Sequence, residues 1–357
     1  MVDDLAALVA IESPTADIAA TTRAADAAAL LGEQLLGVAP ERVVVEGRTH
    51  LRWQFGSADR AVVIGHLDTV WPLGTTARWP FIVTDDIACG PGTFDMKAGV
   101  VQILHALSTL DDLDGVAVLL TTDEETGSET SRALIEQTAA GTRAALVCEG
   151  AGNGGALKTQ RKGVSMYELT VDGRAAHAGV EPEKGINASV ELAHQVLAIT
   201  ALADSAAGTT VTPTTAVSGT SGNTVPGQAR LHVDVRAVTA AEQQRVDAAL
   251  RALLPVLAGA ELTWAGGPNR PPMERALAAD LYTRAARIAA ELGLDPVAEI
   301  AVGGGSDGNF TAGIGVPTLD GLGPVGGGAH AEGEHVVVSE LPRRAALLAE
   351  LVATLQR

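Results

Sequence analysis

The chain has 357 residues, 46% hydrophobic and 19% charged, an ordinary globular composition with enough length for two domains and two cores. Twenty-five Lys and Arg stand against 43 Asp and Glu, and a formal charge of -18 disfavours nucleic acid or an anionic membrane surface as a partner. No stretch approaches the roughly 18–20 uninterrupted apolar residues of a membrane span. Met1-Val2-Asp3-Asp4-Leu5 has neither a basic segment nor an apolar run, so no signal peptide is expected. Cys89 and Cys148 are too few for a disulfide framework, which sets the expectation of a reduced, cytoplasmic setting.

In chain order, 3–11 and 17–36 carry helical spacing, broken by Ser13-Pro14-Thr15, and strand-like runs follow at 42–46 and 50–55. Ala61-Val62-Val63-Ile64 reads as a buried strand that delivers His66 and Asp68 just past its carboxyl end, where open α/β sheets place their ligands. A Gly90-Pro91-Gly92 turn brings Asp95 in front of a helix whose apolar face is Met96, Val100, Ile103, Leu104 and Leu107. The buried strand 116–122 ends in Asp123-Glu124-Glu125. A helix over about 128–139 leads to another strand, 144–148, which ends in Glu149. This alternation predicts an α/β fold with a doubly wound, mostly parallel sheet.

From Gly163 the strands alternate more openly, as in 167–172 and 229–236, with helical segments at about 185–200 and 239–253 between them. Residues 163–266 therefore read as an inserted, smaller α+β domain with one exposed sheet face, and 1–162 with 267–357 as the discontinuous main domain. Gly266-Gly267-Pro268 reads as the return linker. A helix over about 274–292, a glycine-rich loop at 303–308, a strand near 316–319 and the glycine-rich run 321–328 before His330 follow. A last amphipathic helix starts at Ser339, read as its capping residue.

His66, Asp95, Glu125, Glu149 and His330, with Glu124 beside them, are candidate metal ligands. Imidazole with carboxylate suits a catalytic zinc site, whereas a structural one favours cysteine. Two imidazoles and three carboxylates suffice for two ions if one carboxylate bridges. Glu124 and Glu125 can divide the roles of base and ligand if a turn aims both at one place. Asp68 is positioned to accept the second ring N–H of His66. His335, five residues beyond His330, is the rival ligand; His50, His105 and His194 read as structural.

These segments resemble the aminoacylase/carboxypeptidase clan of dinuclear zinc metallopeptidases, in particular the carboxypeptidase-G-type glutamate carboxypeptidases. The resemblance rests on Gly65-His66-Leu67-Asp68-Thr69-Val70, Gly90-Pro91-Gly92-Thr93-Phe94-Asp95-Met96-Lys97-Ala98-Gly99 and Thr122-Asp123-Glu124-Glu125-Thr126-Gly127. It extends through Ala176-His177-Ala178-Gly179, Asn223-Thr224-Val225-Pro226, Asp234-Val235-Arg236, Gly303-Gly304-Gly305-Ser306-Asp307 and His330, in the family's order over almost the whole chain. It implies two Zn2+ per subunit, with Co2+ or Mn2+ as substitutes, Asp95 bridging and Glu124 as general base. His66 and Glu149 would complete one site, Glu125 and His330 the other. The inserted domain would be a lid and homodimerisation module. Its His177 would reach the partner's site to steady the oxyanion, while Asn223, Arg236 and Ser306 would bind substrate. The implied substrates are small peptides or N-acyl amino acids. Release of a C-terminal amino acid is the first expectation, and deacylation of the acetylornithine or succinyl-diaminopimelate type the alternative. Glutamate-releasing relatives carry a lysine where Ala156 stands here, with Lys158, Arg161 and Lys162 nearby.

Overall fold

The computed structural model describes residues 1–57 and 59–356. Its central strands are short because their apolar runs are short: Ala61–His66, Val116–Thr121 and Ala144–Val147 are buried at every position. They lie side by side and parallel, with Ala61–His66 in the middle. Thr318–Leu319 extends the sheet in parallel, and the hairpin of Glu41–Val45 and Arg48–Gln54 adds two antiparallel strands at the other edge. The six-stranded result is the mostly parallel α/β sheet the sequence predicts.

Successive residues feed two separate cores, which is why these strands read as continuous apolar runs. Val63, Val118 and Leu146 join one apolar cluster; Ile64, Leu119 and Val147 join the other. The first is covered by helices Ile18–Leu36, Ala98–Leu107, Arg275–Glu291 and Glu340–Gln356, the second by Arg132–Ala139 and Gly308–Gly313. Helix Ala98–Leu107 comes so close that a Cβ on Gly99 would sit 2.1 Å from the Cys148 carbonyl oxygen. Only glycine fits there, and the approach brings the Asp95 turn beside the strand that leads to Glu149.

Packing divides the chain into two compact units. One comprises 1–161, 273–302 and the chain from Ser306 onward; the other comprises Lys162–Pro272 with Gly303–Gly305. The second unit is a four-stranded antiparallel sheet in the order Thr210–Ser218, Gln228–Ala237, Gly163–Asp172, Glu261–Arg270. Helices Ala188–Thr200 and Ala240–Arg251 cover one face over a core that includes Tyr167, Leu169, Leu231, Val233, Val246 and Ile199. Asn187 caps the first helix by accepting from Ser189 N and Val190 N, and Thr239 caps the second by accepting from Glu242 N.

One local expectation is corrected, and one element is new. Gly266-Gly267-Pro268 lies inside the strand Glu261–Arg270, where Gly266 adopts φ 78° and a Cβ would meet the Met166 carbonyl oxygen at 2.2 Å. Glycine there permits a close strand pairing that composition alone reads as a linker. The last helix, Glu340–Gln356, begins immediately after Ser339, whose hydroxyl donates to Asp86. A small sheet of Ile82–Thr84, Ile87–Cys89, Gly326–Gly327 and His335–Val337 was not foreseen, its strands being only two or three residues long.

Candidate metal centre

His66 ends its strand with its ring 1% exposed. Its Nδ1 lies 3.0 Å from the Asp68 backbone oxygen, which can only accept, so Nδ1 carries a proton. The expected partner, the Asp68 carboxylate, faces the same nitrogen with Oδ1 at 3.5 Å. Nε2 faces Asp95 Oδ1 at 3.1 Å and Glu149 Oε1 at 3.5 Å. The other Asp95 oxygen, Oδ2, lies 3.3 Å from His330 Nε2, and Glu125 Oε2 lies 3.1 Å from the same nitrogen. Asp95 thus stands between two imidazoles with one oxygen toward each. Glu124 comes close to His66 and Glu149, and Glu125 to His66 and Asp95, each within 4.8 Å.

The adjacent glutamates are aimed by the short 3-10 turn Glu124–Thr126. Asp68 is fully buried and holds this turn: Oδ1 accepts from Glu124 N (3.2 Å), and Oδ2 accepts from Glu125 N (3.1 Å) and the Thr15 hydroxyl (2.8 Å). Asp123 anchors the turn from its other side, accepting from the backbone N–H and hydroxyl groups of Thr130 and Ser131. His50 braces the strand end, where its Nδ1 accepts from Thr122 N and its Nε2 donates to Thr130 Oγ1.

Burial alone would raise the Asp95 pKa, yet hydrogen bonds from His330 and His66 hold it well below the usual carboxylate range. The same contacts, from Asp95 and then Glu125, hold the His330 imidazolium up to about 10. Desolvation, with the charge of Asp95, pushes Glu125 upward.

Sequence reading gave two residues no role. Glu334 is fully buried beneath the Asp95 turn. Lys97 is also buried, its ammonium donating to the carbonyls of Leu8 and Ile11, and burial pulls its pKa down to about 8. A lone glutamate between Gly333 and His335 carries no signal of burial. His335 itself pairs with Cys89 in the small sheet and turns Nδ1 to the Gly333 carbonyl, leaving His330 in the cluster.

In the second unit His177 and Asn223 are neighbours: the Ala176–His177 strand pairs with Thr224–Val225, and Ala178 N donates to the Asn223 carbonyl. Both side chains are exposed. Arg236 lies eight residues along its strand from Gln228, roughly 26 Å, and makes a bidentate bond to Asp234. Within one chain Arg236 therefore does not join His177 and Asn223. Ser306 is buried, donates its hydroxyl to Asp320 and accepts from Gly308 N, so it serves the interior and not a substrate surface. Asp320 also takes Arg161 Nε at 2.6 Å, a fully buried ion pair.

The donor set fits divalent cations. It combines imidazole with carboxylate, and Glu125 Oε1 is buried with no hydrogen-bond partner among the described residues, an unmet acceptor that a cation would satisfy. Gathered at the carboxyl edge of a doubly wound sheet, these groups define a metal-dependent hydrolase. The chain belongs to Peptidase family M20/M25/M40, whose profile matches residues 62–354. It is 32% identical over 347 residues to carboxypeptidase G2 of Pseudomonas sp., covering 94% of this chain and 80% of that protein. It is 28% identical over 343 residues to succinyl-diaminopimelate desuccinylase of Halorhodospira halophila, covering 87% and 88%. The fold matches the crystal structure of aminopeptidase PepT from Bacillus cereus with a TM-score of 0.79 at 22% identity, over 100% of this chain and 98% of that one. The protein is accordingly a metallopeptidase-family hydrolase acting on peptide or acyl amide bonds. No helix among the described residues is long and apolar enough to cross a membrane.

Proposed function

We propose that the protein is a dinuclear zinc carboxypeptidase that releases a C-terminal amino acid from a small peptide or peptide-like amide. The observation that carries this reading is Asp95, set between His66 and His330 with one oxygen toward each. His66 and Glu149 would hold one ion, Glu125 and His330 the other, with Asp95 shared. Co2+ or Mn2+ would substitute for Zn2+. When bound, such ions polarise the scissile carbonyl and make a water nucleophilic at neutral pH. Glu124 accepts the proton of the attacking water and returns it to the departing amide nitrogen. Asp68 keeps Glu124 on the side of His66 and Glu149 by holding its backbone N–H.

The second unit is read as a lid and dimerisation module, with the protein a cytoplasmic homodimer. Its Thr210–Ser218 strand is an unpaired sheet edge exposed along most of its length, a ready surface for a second copy. His177 and Asn223 would serve the partner's site while Arg236 serves its own, a division favoured by their separation along the sheet. His177 would steady the developing oxyanion, and Arg236 would hold the substrate carboxylate.

The deacylase reading keeps the same chemistry and changes only the pocket; the 28% identity to a desuccinylase favours keeping it. Lys158, in the electrostatic reach of Glu149 and Asp95, supports a leaving group that carries a second carboxylate. A panel of peptidyl-glutamates, other C-terminal peptides, N-acetyl and N-succinyl amino acids decides between them. The carboxypeptidase reading expects kcat/KM to be highest on peptidyl substrates, and preference for simple N-acyl groups would overturn it.

A further inference from the structure

Glu334 is four residues beyond His330 and fully buried, yet it pairs with no Lys or Arg among the contacts that hold it. Its two oxygens instead take four N–H donors. Oε1 accepts from Phe94 N (2.8 Å) and Asp95 N (2.9 Å). Oε2 accepts from Gly92 N (2.9 Å) and the indole Nε1 of Trp71 (2.8 Å). Three of these donors are the backbone of the turn that ends in Asp95, while the acceptor belongs to the loop that carries His330. The backbone oxygen of Glu334 also takes Gly90 N at 3.3 Å, so loop and turn are stitched at both levels. His330 itself sits at φ 61°, a left-handed conformation that a non-glycine residue keeps only when its surroundings impose it.

We propose that Glu334 is a positioning residue that locks the His330 loop to the Asp95 turn and so sets the spacing of the second metal position. Only an ionised carboxylate offers acceptors to all four donors at once. A glutamine would turn an NH2 toward one pair of them and push the turn away. The inference rests on the two-ion reading of the site and reaches beyond it, because Glu334 touches neither an ion nor the substrate. The Asp95–His330 distance depends on a residue whose contacts lie wholly behind the site.

The test compares wild type, Glu334→Gln and Trp71→Phe. Zn2+ is titrated against a competing chelator, the visible absorption of the Co2+-loaded proteins is recorded, and folding is checked by circular dichroism. The wild type should bind two ions, and Glu334→Gln should weaken one of them by about 10- to 100-fold, the usual cost of losing a ligand's supporting partner. It should also change the Co2+ spectrum. Trp71→Phe, which removes one donor of the four, should shift the same site by less. A folded Glu334→Gln that binds both ions as the wild type does, with an unchanged spectrum and only a lower Tm, would overturn the proposal. If Glu334→Gln does not fold, Trp71→Phe decides: weakened binding at one site supports the lock, and unchanged binding and spectrum overturn it. A wild type that takes up fewer than two ions would instead remove the two-ion reading itself.

Discussion

The candidate residues of the first unit and those of the second are held in opposite ways. His66, Asp68, Asp95, Glu125 and Glu149 are mostly buried and cross-braced: Asp68 grips the Glu124–Glu125 turn, Glu334 the Asp95 turn, and Asp123 the chain beyond. His177 and Asn223 are exposed on a two-residue ladder, and Arg236 is tied to its neighbour Asp234. Ligands for two small cations need spacing good to a few tenths of an ångström, and only buried, fully bonded supports deliver that. Groups that meet a flexible substrate's carboxylate or a transient oxyanion can be carried on a unit that moves. Substitutions at the buried supports of the first unit should therefore cost structure and chemistry together, and those at the exposed residues of the second chemistry alone. Glu124, aimed at the site rather than bracing it, is the exception in the first unit.

The strongest separation of chemistry from structure is expected at Glu124. Glu124→Gln should lower kcat by about 10²- to 10⁴-fold, the scale of a positioned proton-transfer group, with both metals retained. Metal analysis beside the kinetics checks this, and lost metal would make Glu124 a ligand instead. Next comes the buried Arg161–Asp320 pair: Asp320→Ala removes the carboxylate to which Arg161 Nε donates and should cost about 3–5 kcal/mol in denaturant unfolding. A loss under about 1 kcal/mol, the scale of an exposed pair, would mean the interior is less dry than its burial indicates.

Asp68→Asn should cost about 10- to 100-fold in metal affinity or kcat/KM, because an amide cannot accept from Glu124 N, Glu125 N and Thr15 together. A change in stability also follows from pH. Burial lowers the folded-state pKa of His50 below its unfolded value near 6.5, so the unfolded chain binds more protons between the two. Its contribution is intact above pH 6.5 and is lost as pH falls below that value. His50→Asn should flatten this part of the stability–pH curve, and an unchanged slope would assign acid sensitivity to other groups. The smallest structural effect belongs to the second unit. His177→Ala should leave stability within about 0.5 kcal/mol, as at other exposed positions, while depressing activity. Mixed with equal Glu124→Gln protein and allowed to exchange, it should regain about a quarter of wild-type turnover if sites are shared across a dimer. No recovery after confirmed exchange would place His177 at its own chain's site.

The amino-acid sequence alone determined the α/β class, the strand ends that carry His66, Glu124, Glu125 and Glu149, and the Asp95 turn, because short apolar runs broken by glycine and acid are local signals. It also displayed the ligand types, since chemistry is written in residue identity. Tertiary structure decided what no local pattern encodes. Ser306 turned inward because Asp320, fourteen residues away, needed a donor beside Arg161. Gly266-Gly267-Pro268 became strand because the neighbouring strand's carbonyl leaves no room for a side chain. The Asp68 backbone oxygen joins its carboxylate at His66 Nδ1, because the carboxylate also takes Glu124 N and Glu125 N. Glu334 could be read from no window of sequence, since its partners lie about 240 residues earlier in the chain. Hydrogen-bond supply and demand in a buried place is settled only once distant segments meet there.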